Sequence, residues 1–148
     1  MSKLLISCML GLTITLSHAQ TKTRAFFMVG DYSQPEWEKL AFEVDGTKCS
    51  IMYAYRKHET GYPLKILGVG KVGNAKALRV SIPGFNKTYL IYKDVPKKGL
   101  VMVSEDQSYR KFFALGYEGP VNGVGTFCAS CANEPAEAFA LVDSFLER

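Results

Sequence analysis

Long apolar runs are missing from this 148-residue sequence. No window after the N-terminus approaches the ~18 apolar residues of a membrane-spanning helix, so no integral span is expected. Charge of one sign is also scarce: 18 basic residues face 14 acidic ones, a net charge of +4. The basic residues are scattered through strand-like runs, which speaks against nucleic acid as a partner. Catalytic patterns are missing too. No serine sits in a nucleophile elbow, and Gly68-x-Gly70 lacks the strand–helix context of a phosphate loop. His58-Glu59 has no third group in sequence to orient it, so it reads as a charged loop. The expectation is a protein that is not an enzyme and needs no cofactor. Repeats, linkers and low-complexity segments are lacking, which leaves one domain.

The first residues read as a leader. Lys3 supplies a basic region, Leu4–Leu16 an apolar one, and Ser17-His18-Ala19 a small-x-small cleavage site. Residues 1–19 are therefore expected to be removed and the protein secreted to the extracellular space. What remains, 20–148, is long enough for a single core. Asn86-Lys87-Thr88 is an N-glycosylation sequon between two predicted strands, usable in a eukaryotic secretory pathway.

Cysteine is sparse, and three remain after the leader: Cys49, Cys128 and Cys131. In an oxidising compartment two of the three should pair, as 49–128, 49–131 or 128–131. Cys128-x-x-Cys131 before a helix also has the form of a redox dithiol, but it follows strands that are not part of a βαβ unit, so a structural staple is favoured. A zinc set of Cys49, Cys128, Cys131 and His58 has the right ligand types but must converge from distant segments; no metal is expected.

What the sequence has is strands. Between Cys49 and Pro120, runs of β-branched and aromatic residues alternate with Gly, Pro, Asn, Asp and Lys turns. That spacing predicts an antiparallel meander, a sandwich or barrel. Arg24–Val29 is a first strand or arm. Trp37–Val44 is a strand because Asp45-Gly46 follows it. On the next strand Cys49, Ile51, Tyr53 and Tyr55 share a face. Lys57–Pro63 reads as a polar turn, and Leu78, Val80 and Ile82 as an inward face. Thr88–Val95 and Gly99–Glu105 are apolar on both faces, which calls for cover on both sides, some of it from a helix on the outside of the sheet. Arg110–Glu118 is the last long strand, Gly119–Thr126 a Gly-rich crossover, and residues 134–147 a helix with Asn133 as its cap. Its apolar stripe is Phe139, Val142, Phe145 and Leu146.

Several of these stretches resemble a known family. Lys48-Cys49-Ser50-Ile51-Met52-Tyr53-Ala54-Tyr55 resembles the second strand of apolipoprotein-D-like lipocalins. Gly70-Lys71-Val72 through Ala77-Leu78-Arg79-Val80-Ser81 resembles the family's following strands, and Tyr89–Val95 stands in the place of its Thr-Asp-Tyr segment. Phe112–Tyr117, ending at Pro120, resembles its final strand. The resemblance covers roughly residues 48–147. It implies an all-β, antiparallel up-and-down β-barrel (lipocalin or calycin-like) with one C-terminal α-helix. It further implies a bond from Cys49 to Cys128 or Cys131, and a small hydrophobic ligand of the lipid, sterol, retinoid or pigment class. An eight-stranded barrel has room for one small ligand, and Tyr53, Tyr55, Tyr92, Phe113 and Tyr117 are the candidate lining, offering apolar area and hydroxyls. The alternative is a secreted module for an extracellular protein partner, with a filled core and the loops Lys57–Pro63 and Pro96–Lys98 as its binding surface.

Overall fold

The computed structural model describes residues 23–117, 120–121, 124–125, 128 and 130–148. The leader with its cleavage site, Glu118 and much of the Gly119–Thr126 crossover lie outside the described residues. Nine strands form one antiparallel sheet: β1 (Arg24–Val29), β2 (Glu38–Asp45), β3 (Lys48–Tyr55), β4 (His58–Pro63), β5 (Lys65–Val72), β6 (Ala75–Ser81), β7 (Thr88–Asp94), β8 (Gly99–Ser104) and β9 (Arg110–Leu115). Their spatial order is β4-β3-β2-β1-β9-β8-β7-β6-β5. A small antiparallel pair, β10 (Pro120–Val121) and β11 (Val124–Gly125), precedes helix α1 (Pro135–Leu146). No helix among the described residues is long and apolar enough to cross a membrane.

The two outer strands of the sheet, β4 and β5, are separated in sequence by Leu64 alone. Eight interstrand spacings of about 4.8 Å would hold the edges of a flat sheet roughly 40 Å apart. One residue spans at most about 3.6 Å. The sheet therefore curls until its edges meet at Leu64. The Leu64 N–H continues the β3 ladder by donating to the Ile51 carbonyl at 2.8 Å, and its side chain is buried in the core.

Lys57–Pro63, expected as a polar turn, is mostly strand. Tyr62 stands opposite Tyr53 and Pro63 opposite Met52. The apolar alternation is missing because β4 is an edge strand with no fully buried residue. Gly61 takes φ +77°, and a Cβ there would press on the Tyr53 carbonyl oxygen at 3.0 Å.

The concave face holds Phe27, Leu40, Phe42, Ile51, Leu78, Val80, Ile91, Leu100 and Phe113, all essentially inaccessible to solvent. The helix does not lie outside the sheet. It contacts β1, β2 and β6, which stand on different sides of the curl, so it plugs one end of the concavity. Ala138, Leu141, Val142, Phe145 and Leu146 face inward, and the Phe145 ring meets Phe42 edge-on at 5.2 Å. Lys93 pairs with Asp143 at 2.6 Å, and the Arg148 guanidinium donates to the Thr47 carbonyl at 3.0 Å. Asn133 is not the cap. The N-cap position is Glu134, which makes no side-chain cap bond, and Glu137 instead accepts from the Asn133 backbone N–H at 3.3 Å.

β8 is buried on both faces. Its outer cover comes from neighbouring strands: Tyr92 and Phe112 flank Val101 in register, and Arg110 donates to the Tyr92 hydroxyl at 3.0 Å. Gly99 is required there, because a Cβ would strike the Phe113 carbonyl and the Phe112 ring.

The cysteine pairing implied by the family resemblance is corrected. Cys128 and Cys131 are bonded to each other, with Cα atoms 5.3 Å apart, and Cys49 is free among the described residues. Cys131 bridges Arg24 on the edge of β1 that faces away from β2, whereas Cys49 stands opposite Val44 on β3. β1 and β2 lie between them, which puts about three interstrand spacings, ~14 Å, between the two cysteines. A disulfide tolerates at most about 7 Å between Cα atoms. Because Cys128 and Cys131 are joined, the zinc set with Cys49 and His58 is not assembled.

Two measurements check this packing. Alkylation without reduction labels Cys49 and leaves 128 and 131 linked within one peptide; a peptide joining residue 49 to either would contradict the arrangement. In chemical denaturation, Phe42→Ala costs about 3–5 kcal/mol through the cavity left under Phe145.

Candidate functional site

The end of the curl away from the helix is open and polar-aromatic. It is framed by the segment before β2, the β3–β4 turn, the β6–β7 loop and the β8–β9 turn. A cleft of about 420 Å3 opens there, lined by Trp37, Glu38, Tyr53, Tyr55, Phe85, Tyr109 and Lys111 with Pro35, Glu36, Arg56 and Lys57 at its margin.

Glu38 lies at its floor. Strand alternation puts Glu38 on the concave face with Leu40 and Phe42, and the side chain is almost fully buried. An isolated buried carboxylate is costly unless it is paired and hydrogen-bonded. Here Tyr53 and Tyr109 both donate to Oε1, at 2.5 and 3.1 Å. The Lys111 ammonium reaches Oε2 at 2.5 Å, off the directions of a hydrogen bond, so that contact is an ion pair. Lys111 is about 43% exposed, so water screens the pair.

Burial, then the bond to Glu38, pushes the ionisation of Tyr53 far above the ordinary phenol value. Burial, followed by the Glu38 charge, does the same for Tyr109. Tyr109 is placed by the turn before β9. Its N–H donates to Ser104 Oγ at 2.9 Å, and Ser104 Oγ donates to Asp106 at 2.6 Å. Ser104 and Ser108 hold the Asp106 carboxyl well below the usual carboxylate range.

An aromatic ladder borders the cleft. The Tyr53 and Tyr55 ring centroids are 6.0 Å apart, His58 stacks on Tyr62 at 4.0 Å, and Tyr62 meets Phe85 edge-on at 5.8 Å. A hydrogen bond to Tyr55 raises the Tyr62 hydroxyl. Asn86, the sequon residue, is exposed in the loop beside Phe85.

Of the five aromatic residues expected to line a pocket, the fold brings two, Tyr53 and Tyr55, to this cleft. Tyr92 is on the convex face beside Arg110. Phe113 is sealed in the core opposite Leu100. Tyr117 is half-exposed on an outer cluster, where its carbonyl accepts from the Tyr32 hydroxyl at 3.2 Å. Sequence reasoning missed Trp37, Glu38, Tyr109 and Lys111. Glu38 carried a signal, since it is an acid in phase with Leu40, Phe42 and Val44 on an apolar strand face. A second groove of about 460 Å3 lies between the helix and the β2–β3 turn, and there Arg148 is already engaged with Thr47.

No protein-family model, no curated protein and no solved structure matches the chain.

The Glu38 cluster predicts alkaline sensitivity. Folded Tyr53 and Tyr109 stay neutral, whereas the unfolded chain's phenols ionise near pH 10.0. Their contribution is intact below that pH and falls as pH rises above it, because the unfolded state then binds fewer protons than the folded one. In a spectrophotometric titration, part of the phenolate signal therefore appears only with cooperative unfolding. Tyr53→Phe removes one share of it. Glu38→Gln lowers stability by ~1–3 kcal/mol, because it leaves the hydroxyls and ammonium poorly matched; an unchanged denaturation midpoint would show that the cluster is not structural.

Proposed function

We propose that the protein is a secreted, lipocalin-like binding and transport protein for a small hydrophobic molecule, and that the curled sheet works as an incompletely closed, calycin-type barrel. The observation carrying this reading is the open-end cleft: apolar and aromatic walls around one buried acid with its two tyrosine hydroxyls and lysine. Ligand sites combine mostly apolar walls with a few placed polar groups in this way. Trp37, Tyr53, Tyr55 and Phe85 would supply the apolar surface, and burial there contributes about 25 cal/mol per Å2 removed from water. The Tyr hydroxyls and Lys111 would orient one polar end of the ligand. Lipid, sterol, retinoid and pigment all have that form. Secretion would place Asn86 where a glycan can be added at the cleft margin. The acid–hydroxyl–ammonium set serves recognition and not catalysis on this reading, and the Cys128–Cys131 bond is a staple, not a redox centre.

One observation favours the alternative, a module for an extracellular protein partner: the helix fills the far end of the concavity with side chains, which shortens the space left for a ligand.

Native mass spectrometry of the secreted protein decides between them. A small mass that leaves on denaturation supports the carrier. A bare mass, still bare after exposure to a lipid library, overturns it in favour of the protein-binding module. The single Trp of the sequence, Trp37, lies in the cleft wall and reports binding by its fluorescence. Tyr55→Ala weakens the binding of an extracted ligand by about tenfold, whereas Tyr92→Phe on the convex face leaves it unchanged.

A further inference from the structure

The β5 edge differs from the rest of the surface. Ile66, Leu67 and Val69 are 39%, 41% and 45% exposed, and they account for half of the large exposed hydrophobic residues among those described. β5 is also an outermost strand, so one side of its backbone has no ladder partner among the described residues. Such an edge is a template for another strand.

Charge says what kind. Between Glu59 and Asp94 the sequence holds six basic residues and no acid. Arg79, Lys87 and Lys93 are paired with Glu105, Asp106 and Asp143. Lys65, Lys71 and Lys76 have no acidic partner among the described residues. Lys71 and Lys76 stand directly opposite each other in the β5–β6 register. Like charges placed so are unfavourable in a sheet, and an acid on a strand added beside Lys71 lowers that repulsion.

We propose that the β5 edge takes an extended, acid-flanked segment of a partner protein as an added strand. Its main chain pairs with residues 65–72, its apolar residues cover Ile66, Leu67 and Val69, and its acids meet Lys65 and Lys71, with Lys76 one strand further on. A second copy of the chain is a poorer occupant: antiparallel self-pairing centred on Gly68 sets Lys65 against Lys71 of the copy. An anionic membrane is poorer too, because the unpaired backbone groups of an open edge are not satisfied in hydrocarbon.

The test uses a blocked peptide, Glu-Thr-Val-Thr-Val-Thr-Glu, its lysine-ended counterpart, and phosphatidylglycerol vesicles. The expected result is that the acid-ended peptide protects amides within 65–72 from hydrogen exchange and the lysine-ended one does not. In the surface double variant Lys71→Glu/Lys76→Glu, affinity for the acid-ended peptide falls about tenfold and the preference reverses. The proposal is overturned by absence of protection at 65–72 at millimolar peptide. It is equally overturned by equal binding of both peptides, by vesicle binding through β5 without peptide binding, or by self-association that protects 65–72. Binding at β5 is read apart from the open-end cleft, because Trp37 fluorescence reports only the latter.

Discussion

A single residue governs the shape of this protein. Leu64 is all that separates the two outer strands of a nine-stranded sheet, so the sheet has to bend round until its edges meet there. The remaining features depend on that curl. It creates a concave face on which one side chain in two from each inner strand converges, and a convex face covered by cross-strand neighbours such as Tyr92 and Phe112. It also leaves β5 without a ladder partner on one side among the described residues, because the edges that meet at Leu64 do not pair along their length.

The two ends of the concavity are finished differently. At one end the helix inserts Leu141, Val142 and Phe145 between β1, β2 and β6, and the seal is ordinary apolar packing. The other end receives Glu38, Tyr53, Tyr109 and Lys111. A charge buried there needs its partners held in place, and they come from β3, β9 and the turn before β9. Such a set, fully satisfied, fixes the relative positions of β2, β3 and β9 at the point where no helix does so. The same arrangement leaves an aromatic cleft with a polar floor, so the group that stabilises the open end also forms the floor of the cleft proposed to hold a ligand.

The disulfide follows the same logic of position. Cys131 is drawn to β1 by backbone bonds, with Ala132 N–H donating to the Arg24 carbonyl at 2.7 Å. The bond to Cys128 tightens the segment leading into the helix, and Cys49, two strands beyond β1, stays out of reach.

Strand existence was legible in the sequence wherever one face is buried: Leu40-x-Phe42, Ile51-x-Tyr53 and Leu78-x-Val80-x-Ile82 alternate because core and solvent alternate along a pleated strand. The helix was legible for the same reason, through its spacing of Val142, Phe145 and Leu146. β4 was not, since an edge strand with no fully buried residue leaves no periodic trace. Which face the helix covers, which cysteines meet, and that Glu38 gathers Tyr53, Tyr109 and Lys111 were decided only by tertiary structure. Periodicity records whether a side chain is buried, but not what it is buried against. That depends on the register of strands and on the curl of the sheet, and the curl here follows from one residue joining the two edges.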